Sequence, residues 1–533
     1  MAKRKAAAGT KSAAKKARQV LAFFDNKKID ELALQIEDDR KYNFFVELLG
    51  QYEHIKTHLA ESKDAEVESV ARYLTLRLAK VFQTLFETSM LMPKKSYDEK
   101  KLIVVKWLVS KYDSFKSILL NFLGTQLLEE TDLQLDMLDI YLMLIKLEAK
   151  HFLVKDQAYF PTLTYQNLIS VMLGSDDEVD FILNEFQEKF NGNWDLQFYF
   201  FNNNVEVVKE WQQLKKEEQL QRVVDRFIQI CLDGTLLFDP ENVESLPKLV
   251  DGKLPSIAYK PSTFKSQFQK CMVGILSYPL KTSQYKHILL YLHKRVIPYM
   301  AQPQSLMDFL TAAYDVSDDD VIPILALNSL YELMKRYNLE YPDFYQKLYC
   351  LLTPSLLYTR YRSRFFRLCD LFLSSSHLSL ALVASFIKKL ARLALRATAS
   401  GTVIVIPFIY NLMKRHPTCM VMIHRPDFQT GEETDPFKDT ESDPLKTDAL
   451  NSSLWELESI MNHYHPNVAT LAKIFSEPFR KPNYNMEDFL DWNYKALLES
   501  ESARKYKSMA VLEYQEWDGV FVGENSYLSG WVL

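Results

Sequence analysis

Apolar residues recur at intervals of three and four along most of this 533-residue sequence, from 28 to 233 and again from 262 to about 425. In the stretch 101–123, for example, Val105 and Tyr112 fall on one stripe of a helix. This interval is the period of an amphipathic α-helix, whereas a half-buried strand alternates every second residue. The pattern predicts an all-α fold, an α-solenoid-like stack of paired helices in two or three blocks.

Shifts in composition divide the sequence into six predicted regions. Four prolines among polar residues indicate a connection between two helical blocks, and eight acids with two lysines at 427–448 indicate an exposed acidic loop. The regions are a disordered basic tail at 1–20, an N-terminal helical block at 21–239, a linker at 240–261, a helical core at 262–426, an acidic loop at 427–450, and a C-terminal helical segment and tail at 451–533.

The scarcity of glycine excludes two classes of nucleotide-binding protein. The sequence has 13 glycines, and no two of them are two or five positions apart. A dinucleotide-binding turn needs G-x-G, and a P-loop needs two glycines five positions apart, so both are excluded. The five cysteines lie at least 19 residues apart, which excludes a C-x-x-C zinc or redox pair.

Other candidate catalytic groups have structural explanations. The histidines form no H-E-x-x-H motif, and His463 and His465 have no third metal ligand nearby, so we assign them capping or surface roles. The acid run 318–320 precedes an apolar segment, as is typical of a helix N-terminus, where carboxylates are favoured by the macrodipole. We predict that the protein is not an enzyme and has no catalytic, cofactor-binding or metal-binding residues.

Charge is distributed unevenly, although the net charge is only −5. Residues 1–18 carry +7 and residues 359–425 carry +10, so the rest of the chain carries −22. A tail rich in Lys and Arg is typical of nuclear or nucleolar targeting, with nucleic-acid contact or solubility as alternatives. The predicted targeting residues are Lys3, Arg4, Lys5, Lys15, Lys16 and Arg18.

The second basic region predicts a binding surface on neighbouring helices. Arg360, Arg364 and Arg367 recur at helical spacing, as do Lys388 and Arg392 on the next helix. Such a surface attracts RNA phosphates or an acidic protein segment; the alternatives are the chain's own acidic loop and a solvated face without a ligand. The candidate RNA- or partner-binding residues are Arg360, Arg362, Arg364, Arg367, Lys388, Lys389, Arg392, Arg396, Lys414 and Arg415.

Six segments between 320 and 495 form one set of motifs. They are LALNSLYELM at 325–334, LEYPDFYQKLYCLL at 339–352, RYRSRFFRLCDLFLSSSHL at 360–378, KKLARLAL at 388–395, SSLWELESIMNHYHPNV at 452–468 and FRKPNYNMEDFLDW at 479–492. Together they resemble the CCAAT-binding-factor (CBF) domain as it occurs in the Noc family of ribosome-assembly factors. The motif residues are Tyr341, Pro342, Asp343, Phe344, Tyr345, Phe365, Phe366, Asp370 and Trp455.

The resemblance implies a nuclear, nucleolar protein of the small-subunit processome that supports pre-rRNA processing and 40S subunit assembly. It implies a heterodimer with a nucleolar protein fourteen-type partner, which docks on the CBF-type region, and contact with other processome proteins and pre-rRNA. It implies no catalytic residues and no cofactor. A helical transport adaptor and a nuclear transcription-related binding protein are the alternative functions.

The longest uncharged run of interest, 397–413, bears on membrane association. It contains Ser, Thr, Gly, Pro and Asn among its apolar residues, and it is shorter than the 20 or so residues that a spanning helix needs. We therefore predict a buried core helix at this position and no membrane partner.

Overall fold

The structure is a computed structural model, which describes residues 24–61, 64–92, 97–125, 131–152, 158–174, 180–214, 216–316, 319, 321–337, 343–375, 377–424 and 435–505. These ranges contain helices and turns and no strand. The predicted all-α, solenoid-like fold is confirmed. The predicted basic tail at 1–20, the acidic residues 425–434 and the tail beyond 505 lie outside the described residues.

The chain divides into two compact units, Met1–Pro342 and Asp343–Leu533. The predicted linker at 240–261 therefore lies inside the first unit, and the predicted core at 262–426 contributes to both units. The predicted boundaries followed proline content and charge. The two units are instead defined by which residues contact one another, and composition gives no information about such contacts.

The first unit contains thirteen α-helices within the described residues. They are α1 (Asn26–Glu37), α2 (Phe44–Glu61), α3 (Ala65–Glu87), α4 (Glu99–Leu123), α5 (Asp132–His151), α6 (Thr162–Gly174), α7 (Asp180–Gly192), α8 (Trp194–Leu214), α9 (Glu217–Leu232), α10 (Pro261–Leu276), α11 (Thr282–Tyr291), α12 (Met307–Tyr314) and α13 (Val321–Tyr337).

Helices of the first unit stack in the order of the chain. Most contacts join a helix to the next helix or to the next but one, which is the nearest-neighbour packing of an α-solenoid. The stripe predicted in α4 is the buried face, because Val105 and Tyr112 are 0% and 2% exposed. Aromatic rings fill the space between helices: Phe82 of α3 stacks at 5.0 Å on Phe45 and at 5.1 Å on Phe115.

The segment 240–261, the predicted linker, packs against the start of α8. The carboxylate of Asp195, fully buried, accepts hydrogen bonds from the backbone N–H groups of Leu249 and Val250 at 2.9 and 2.8 Å. Trp194 donates its indole N–H to a backbone carbonyl oxygen of the segment at 3.2 Å. The prolines correctly indicated irregular backbone, but the two anchoring side chains lie some 50 residues away in sequence.

The second unit contains eight α-helices within the described residues. They are α14 (Phe344–Cys350), α15 (Arg362–Phe372), α16 (Leu380–Ala394), α17 (Ala399–Arg415), α18 (Trp455–Ile460), α19 (Pro466–Ala472), α20 (Glu487–Leu490) and α21 (Tyr494–Ser502). Helix α17 lies at the centre, in contact with α16, α19, α20 and α21. The C-terminal residues are thus arranged around one core helix.

Helix α17 is buried at every residue from Ala399 to Met413. A helix that is apolar on all sides belongs inside a protein or a membrane, and here neighbouring helices cover it. The predicted core helix at 397–413 is confirmed. Across the described ranges, no helix has the length and apolarity needed to cross a membrane.

Residues 435–448, within the predicted acidic loop, are mostly exposed, but three of their side chains are buried. The side chain of Phe437 is only 7% exposed. Ser385 of α16 contacts the carbonyl oxygen of Pro444 and the hydroxyl of Thr447, each at 2.5 Å. A few apolar and hydroxyl side chains therefore hold an otherwise acidic segment, named the acidic segment below, against α16.

Candidate binding surface of the second unit

Lys388 of α16, a residue of the predicted basic patch, is completely buried. Its Nζ lies 2.7 Å from Glu456 Oε1 and 3.0 Å from Asp435 Oδ2, and it donates to the carbonyl oxygen of Ser453 at 2.6 Å. An ammonium group has three donors, so these contacts satisfy it. Lys388 is therefore not available to an external phosphate.

Arg392, one helical turn further along α16, binds the same two carboxylates. Its Nε donates to Glu456 Oε1 at 2.6 Å, and its Nη2 donates to Asp435 Oδ2 at 2.5 Å. The guanidinium carbon lies 5.1 Å from the centre of the Trp455 ring, within cation–π distance. We call Lys388, Arg392, Asp435 and Glu456 the charge network.

The charge network shifts the titration of Asp435. Burial alone would raise the pKa of this carboxyl, but hydrogen bonds to it outweigh burial and hold the pKa well below its usual range. The donors are Ser452, Lys388, the backbone N–H of Phe437 and the indole of Trp455. Two cations thus face two carboxylates, and the network has no formal net charge at neutral pH.

The charge network decides between the alternatives for the stripe on α16. Asp435 belongs to the acidic segment, so the chain's own acidic residues lie on Lys388 and Arg392. The sequence analysis did not identify Glu456 as a partner, although it follows the motif residue Trp455 directly. The only signal in the sequence was an acidic residue directly after a motif tryptophan.

Two arginines of α15 hold the chain at 487–492. Arg367 donates from Nε and Nη2 to the two carboxylate oxygens of Glu487 at 2.7 and 2.6 Å, the bidentate geometry that a guanidinium favours. Arg362 donates to the carbonyl oxygens of Leu357 and Trp492 at 3.0 and 2.5 Å. Both side chains therefore hold residues 487–492 against α15.

Most of the remaining predicted patch residues also bind their own chain. Lys389 and Lys414 donate to backbone carbonyl oxygens at 3.4 and 2.7 Å. Arg415 forms a bidentate pair with the motif residue Asp370, at 2.8 and 3.0 Å, which joins α17 to α15. Arg364 is half-buried, and burial lowers the pKa of its guanidinium.

Arg360 and Arg396 differ from the other eight patch residues. Both are exposed, and neither forms an ion pair with a carboxylate of the described residues. The structure therefore does not present the ten residues as one continuous free patch. Binding of RNA or a partner by this region stays a prediction, and these two arginines are the members best placed for it.

Aromatic motif residues build the core of the second unit. Phe365 and Phe366 of α15 are 0% and 1% exposed. The ring of Phe344 lies 4.6 Å from that of Phe372, and the hydroxyl of Tyr345 donates to the carbonyl oxygen of Phe372 at 3.2 Å. These motif residues therefore act in packing.

Two other motif residues have different roles. Asp343 precedes α14 with a φ of 55°, in the left-handed region that Asp and Asn tolerate better than most residues. Trp455 begins α18 and remains 42% exposed. Tyr341 and Pro342 lie outside the described residues.

His463, His465 and Asp319 have the capping roles expected of them. His465 accepts a backbone N–H at 3.3 Å at the start of α19, and His463 accepts the N–H of His465 at 3.0 Å. Asp319 accepts the first backbone N–H of α13 at 2.9 Å, whereas Asp318 and Asp320 lie outside the described residues. No cluster of three metal-ligating side chains occurs within the described part of the chain.

An apolar groove of about 290 Å³ lies beside the charge network. We call it the Trp455 groove. Its wall includes Ile423, Leu454, Trp455, Leu457, Met461 and Phe475. Trp455 belongs to both features, because its indole N–H donates to Asp435 at 3.1 Å while its ring lines the groove. The charge network therefore fixes the orientation of the largest side chain in the groove.

Two family models match the chain. The CBF/Mak21 family matches residues 323–472, and the family described as nucleolar complex protein 4-like, TPR repeats, matches residues 22–213. The first match confirms the CBF resemblance drawn from the motifs. The second falls on the stacked helices of the first unit, and neither family is a known enzyme class.

Curated relatives extend these matches over nearly the whole sequence. Nucleolar complex protein 4 of Saccharomyces cerevisiae is 41% identical over 95% of this chain and 97% of its own length. Nucleolar complex protein 4 homolog B of Xenopus laevis is 37% identical over 78% of each chain, and the Gallus gallus homolog is 33% identical over 79% of this chain and 83% of its own. Their names confirm the predicted nuclear, nucleolar localisation. The chain belongs to the nucleolar complex protein 4 family, whose name implies a role in ribosome biogenesis.

Proposed function

We propose that the chain is a non-enzymatic ribosome-biogenesis factor of the small-subunit processome. In this proposal it is a helical scaffold that pairs with a nucleolar protein fourteen-type partner, contacts pre-rRNA and other processome proteins, and supports pre-rRNA processing and 40S subunit assembly. The observation that carries the proposal is the match to nucleolar complex protein 4 over 95% of the chain. Stacked helices offer extended surfaces for such partners, which supports a scaffold.

The Trp455 groove supports the docking part of the proposal. Aromatic residues and methionine are enriched at the centres of protein interfaces, and the groove contains Trp455, Phe475 and Met461. The charge network already holds Trp455 in one orientation, so a partner helix or strand would lose less conformational entropy on binding there. We therefore assign this groove to the partner protein.

The function is tested by depleting the protein from its own cells and re-expressing it. We expect the mature small-subunit rRNA to fall relative to the large-subunit rRNA, its uncleaved precursor to accumulate, and re-expression to reverse both. An equal fall of both mature rRNAs, or no fall, would contradict a role in the small-subunit processome.

Docking is tested by placing a charge in the groove. The variant Ile423→Asp changes a groove residue that is 38% exposed, so we expect loss of the partner on co-purification without loss of folding. The matched control is Leu445→Asp, a 56% exposed aliphatic residue that does not line the groove. Equal retention of the partner by both variants would remove the groove from the proposal.

We also propose that residues 1–18 direct the protein to the nucleolus. Their seven Lys or Arg residues without an acid support this assignment. A fluorescent fusion that lacks residues 1–18 should leave the nucleolus, whereas unchanged localisation would assign targeting to another part of the chain.

A further inference from the structure

A second pocket, of about 390 Å³ and lined by hydroxyl, charged and aromatic side chains, lies at the starts of two basic helices of the second unit, α15 and α17. Its walls come from the turn before α15, the turn before α17 and the residues around the start of α21. The size falls within the range of small-ligand sites, about 300–1,000 Å³. We call it the Tyr358 pocket, because that side chain forms part of its wall.

Of the two patch arginines without an ion pair among the described residues, one lines this pocket and the other is adjacent to it. Arg360 lines it directly. Arg396 lies next to its wall, because the hydroxyl of Tyr358 donates to the carbonyl oxygen of Arg396 at 2.8 Å. Asp491 also lines the pocket, but it is 81% exposed and lies 3.9 Å from the guanidinium of Arg367, which offsets its charge.

Exposed aromatic rings accompany these cations. Tyr358 and Tyr494 are each 57% exposed, although tyrosines with a packing role in this protein are mostly buried. Trp492 is half-buried beside them. Arg362 binds the carbonyl oxygens of Leu357 and Trp492, so it holds the two aromatic walls in place and acts as a positioning residue.

This combination distinguishes between the two ligands that the basic region was predicted to take. An acidic protein segment needs cations and hydrogen-bond donors for its carboxylates, as the acidic segment has in the charge network, and it needs no exposed aromatic faces for stacking. Single-stranded RNA needs cations for phosphates and aromatic faces for unpaired bases. Exposed tyrosines next to unpaired arginines therefore favour RNA.

We infer that the Tyr358 pocket binds single-stranded RNA, with Tyr358 and Tyr494 stacking on unpaired bases and Arg360 and Arg396 contacting the flanking phosphates. This inference rests on the proposed role in pre-rRNA processing, and it assigns one RNA contact to that role. Because phosphate contact and stacking are both tolerant of sequence, the pocket holds RNA in position without reading a particular sequence.

The test measures binding of a short oligouridine to the full chain as a function of salt. The variant Arg360→Gln/Arg396→Gln should flatten the slope of log affinity against log salt by about 1.4, since each phosphate contact on a single strand contributes about 0.7. The control Arg336→Gln/Arg415→Gln removes the same charge from residues paired with Glu332 and Asp370, neither of which lines the pocket, and its slope should equal that of the unmodified chain.

Stacking is tested with a matched pair at one position. Tyr358→Leu should weaken oligouridine binding about tenfold, whereas Tyr358→Phe, which keeps the ring and loses the hydrogen bond to Arg396, should retain most of the affinity. Photo-crosslinking with 4-thiouridine in the same oligonucleotide should label the peptides that contain Tyr358 or Tyr494.

Three results would overturn the inference. They are equal salt slopes for the two double-arginine variants, crosslinks confined to residues 1–18, and a pocket that binds a polyglutamate peptide but not oligouridine. Failure of the pocket variants to alter RNA binding, while the chain still restores small-subunit rRNA in depleted cells, would leave the proposed function intact. Normal rRNA maturation in depleted cells, with RNA still bound at the pocket, would contradict the proposed function alone.

Discussion

The two units fasten an irregular segment to a helix in different ways. In the first unit, the buried carboxylate of Asp195 binds the neutral backbone N–H groups of residues 249 and 250. In the second, Lys388 and Arg392 bind the carboxylates of Asp435 and Glu456. A basic stripe in a sequence can therefore stabilise the fold instead of binding an external ligand, because the carboxylates that pair with it come from the same chain.

The two arrangements also respond differently to removal of a partner. A carboxylate held by backbone donors loses part of its hydrogen bonding when it is replaced by an amide. A buried cation between two carboxylates leaves uncompensated charge when it is removed, which is the more destabilising change. The following substitutions test this difference, beginning with the one that should matter most.

Lys388→Met should have the largest effect. It removes a fully buried cation and leaves Arg392 to compensate two carboxylates, which we expect to destabilise the second unit by about 3–5 kcal/mol. Calorimetry of the full chain should show its transition about 10 °C lower. The control Lys446→Met, at a side chain that is 72% exposed, should leave the transition unchanged; equal stability of the two variants would refute the structural role of the charge network.

Asp195→Asn should have an intermediate effect. The amide keeps one acceptor oxygen but turns an N–H group toward a backbone donor, so a buried hydrogen bond is lost at about 1–3 kcal/mol. Thermal unfolding of the first unit measures it, with the exposed Asp251→Asn as control. A larger loss of stability for Asp195→Asn than for Lys388→Met would contradict the expectation that removing the buried cation is the more destabilising change.

The contributions of Asp435 and Asp195 to folding stability should change in opposite directions as the pH is lowered. The pKa of Asp435 is lowered, so its contribution to stability is present above about pH 4 and is lost as the pH falls through the folded-state pKa. Burial raises the pKa of Asp195, so its contribution is present below about pH 4 and is lost as the pH rises through the raised value. Acid should therefore lower the stability of Asp435→Asn less than that of the unmodified chain, and the stability of Asp195→Asn more.

Unfolding measured from neutral pH to below pH 4 checks these signs. The amide variants have the same shape as the carboxylates they replace, so the slopes of stability against pH can be compared directly. Slopes for both variants that are parallel to that of the unmodified chain would show that neither carboxyl has a different pKa in the folded protein.

Arg367→Gln should have the smallest effect. Its pair with Glu487 is bidentate, but the two side chains are 44% and 56% exposed, so solvent and salt screen the attraction. We expect a loss of about 0.2–1 kcal/mol that disappears at high salt. A loss as large as that of Lys388→Met would show that exposure does not separate the strong from the weak contacts of the basic helices.

The sequence predicted the helices well because their apolar spacing is local. The stripe of α4 and the uncharged run that forms α17 needed only the residues within a few turns. The packing of residues 240–261 against α8 was not predicted, because the anchoring of residues 249 and 250 by Asp195 joins positions far apart in the sequence.

The candidate site was predicted only as a set of cations. Helical spacing identified Lys388 and Arg392, and the chain's own acidic loop was one of the alternatives for their partner. Spacing could not show that Glu456 would complete the charge network, or that Arg360 and Arg396 would remain exposed while Arg415 paired with Asp370. The sequence identifies the basic residues, but only the tertiary contacts show which of them are paired within the fold and which are exposed to a ligand.

Hydrogen–deuterium exchange on the full chain with Arg392→Gln tests whether basic side chains hold the acidic segment onto α16. The N–H of Lys438 bonds to the carbonyl of Thr447, and that of Leu454 to Met422, each at 2.9 Å. We predict faster exchange of these amides in the variant, with exchange in α3 to α8 unchanged. Unchanged exchange at these two amides, or a uniform increase across the whole chain, would contradict the claim.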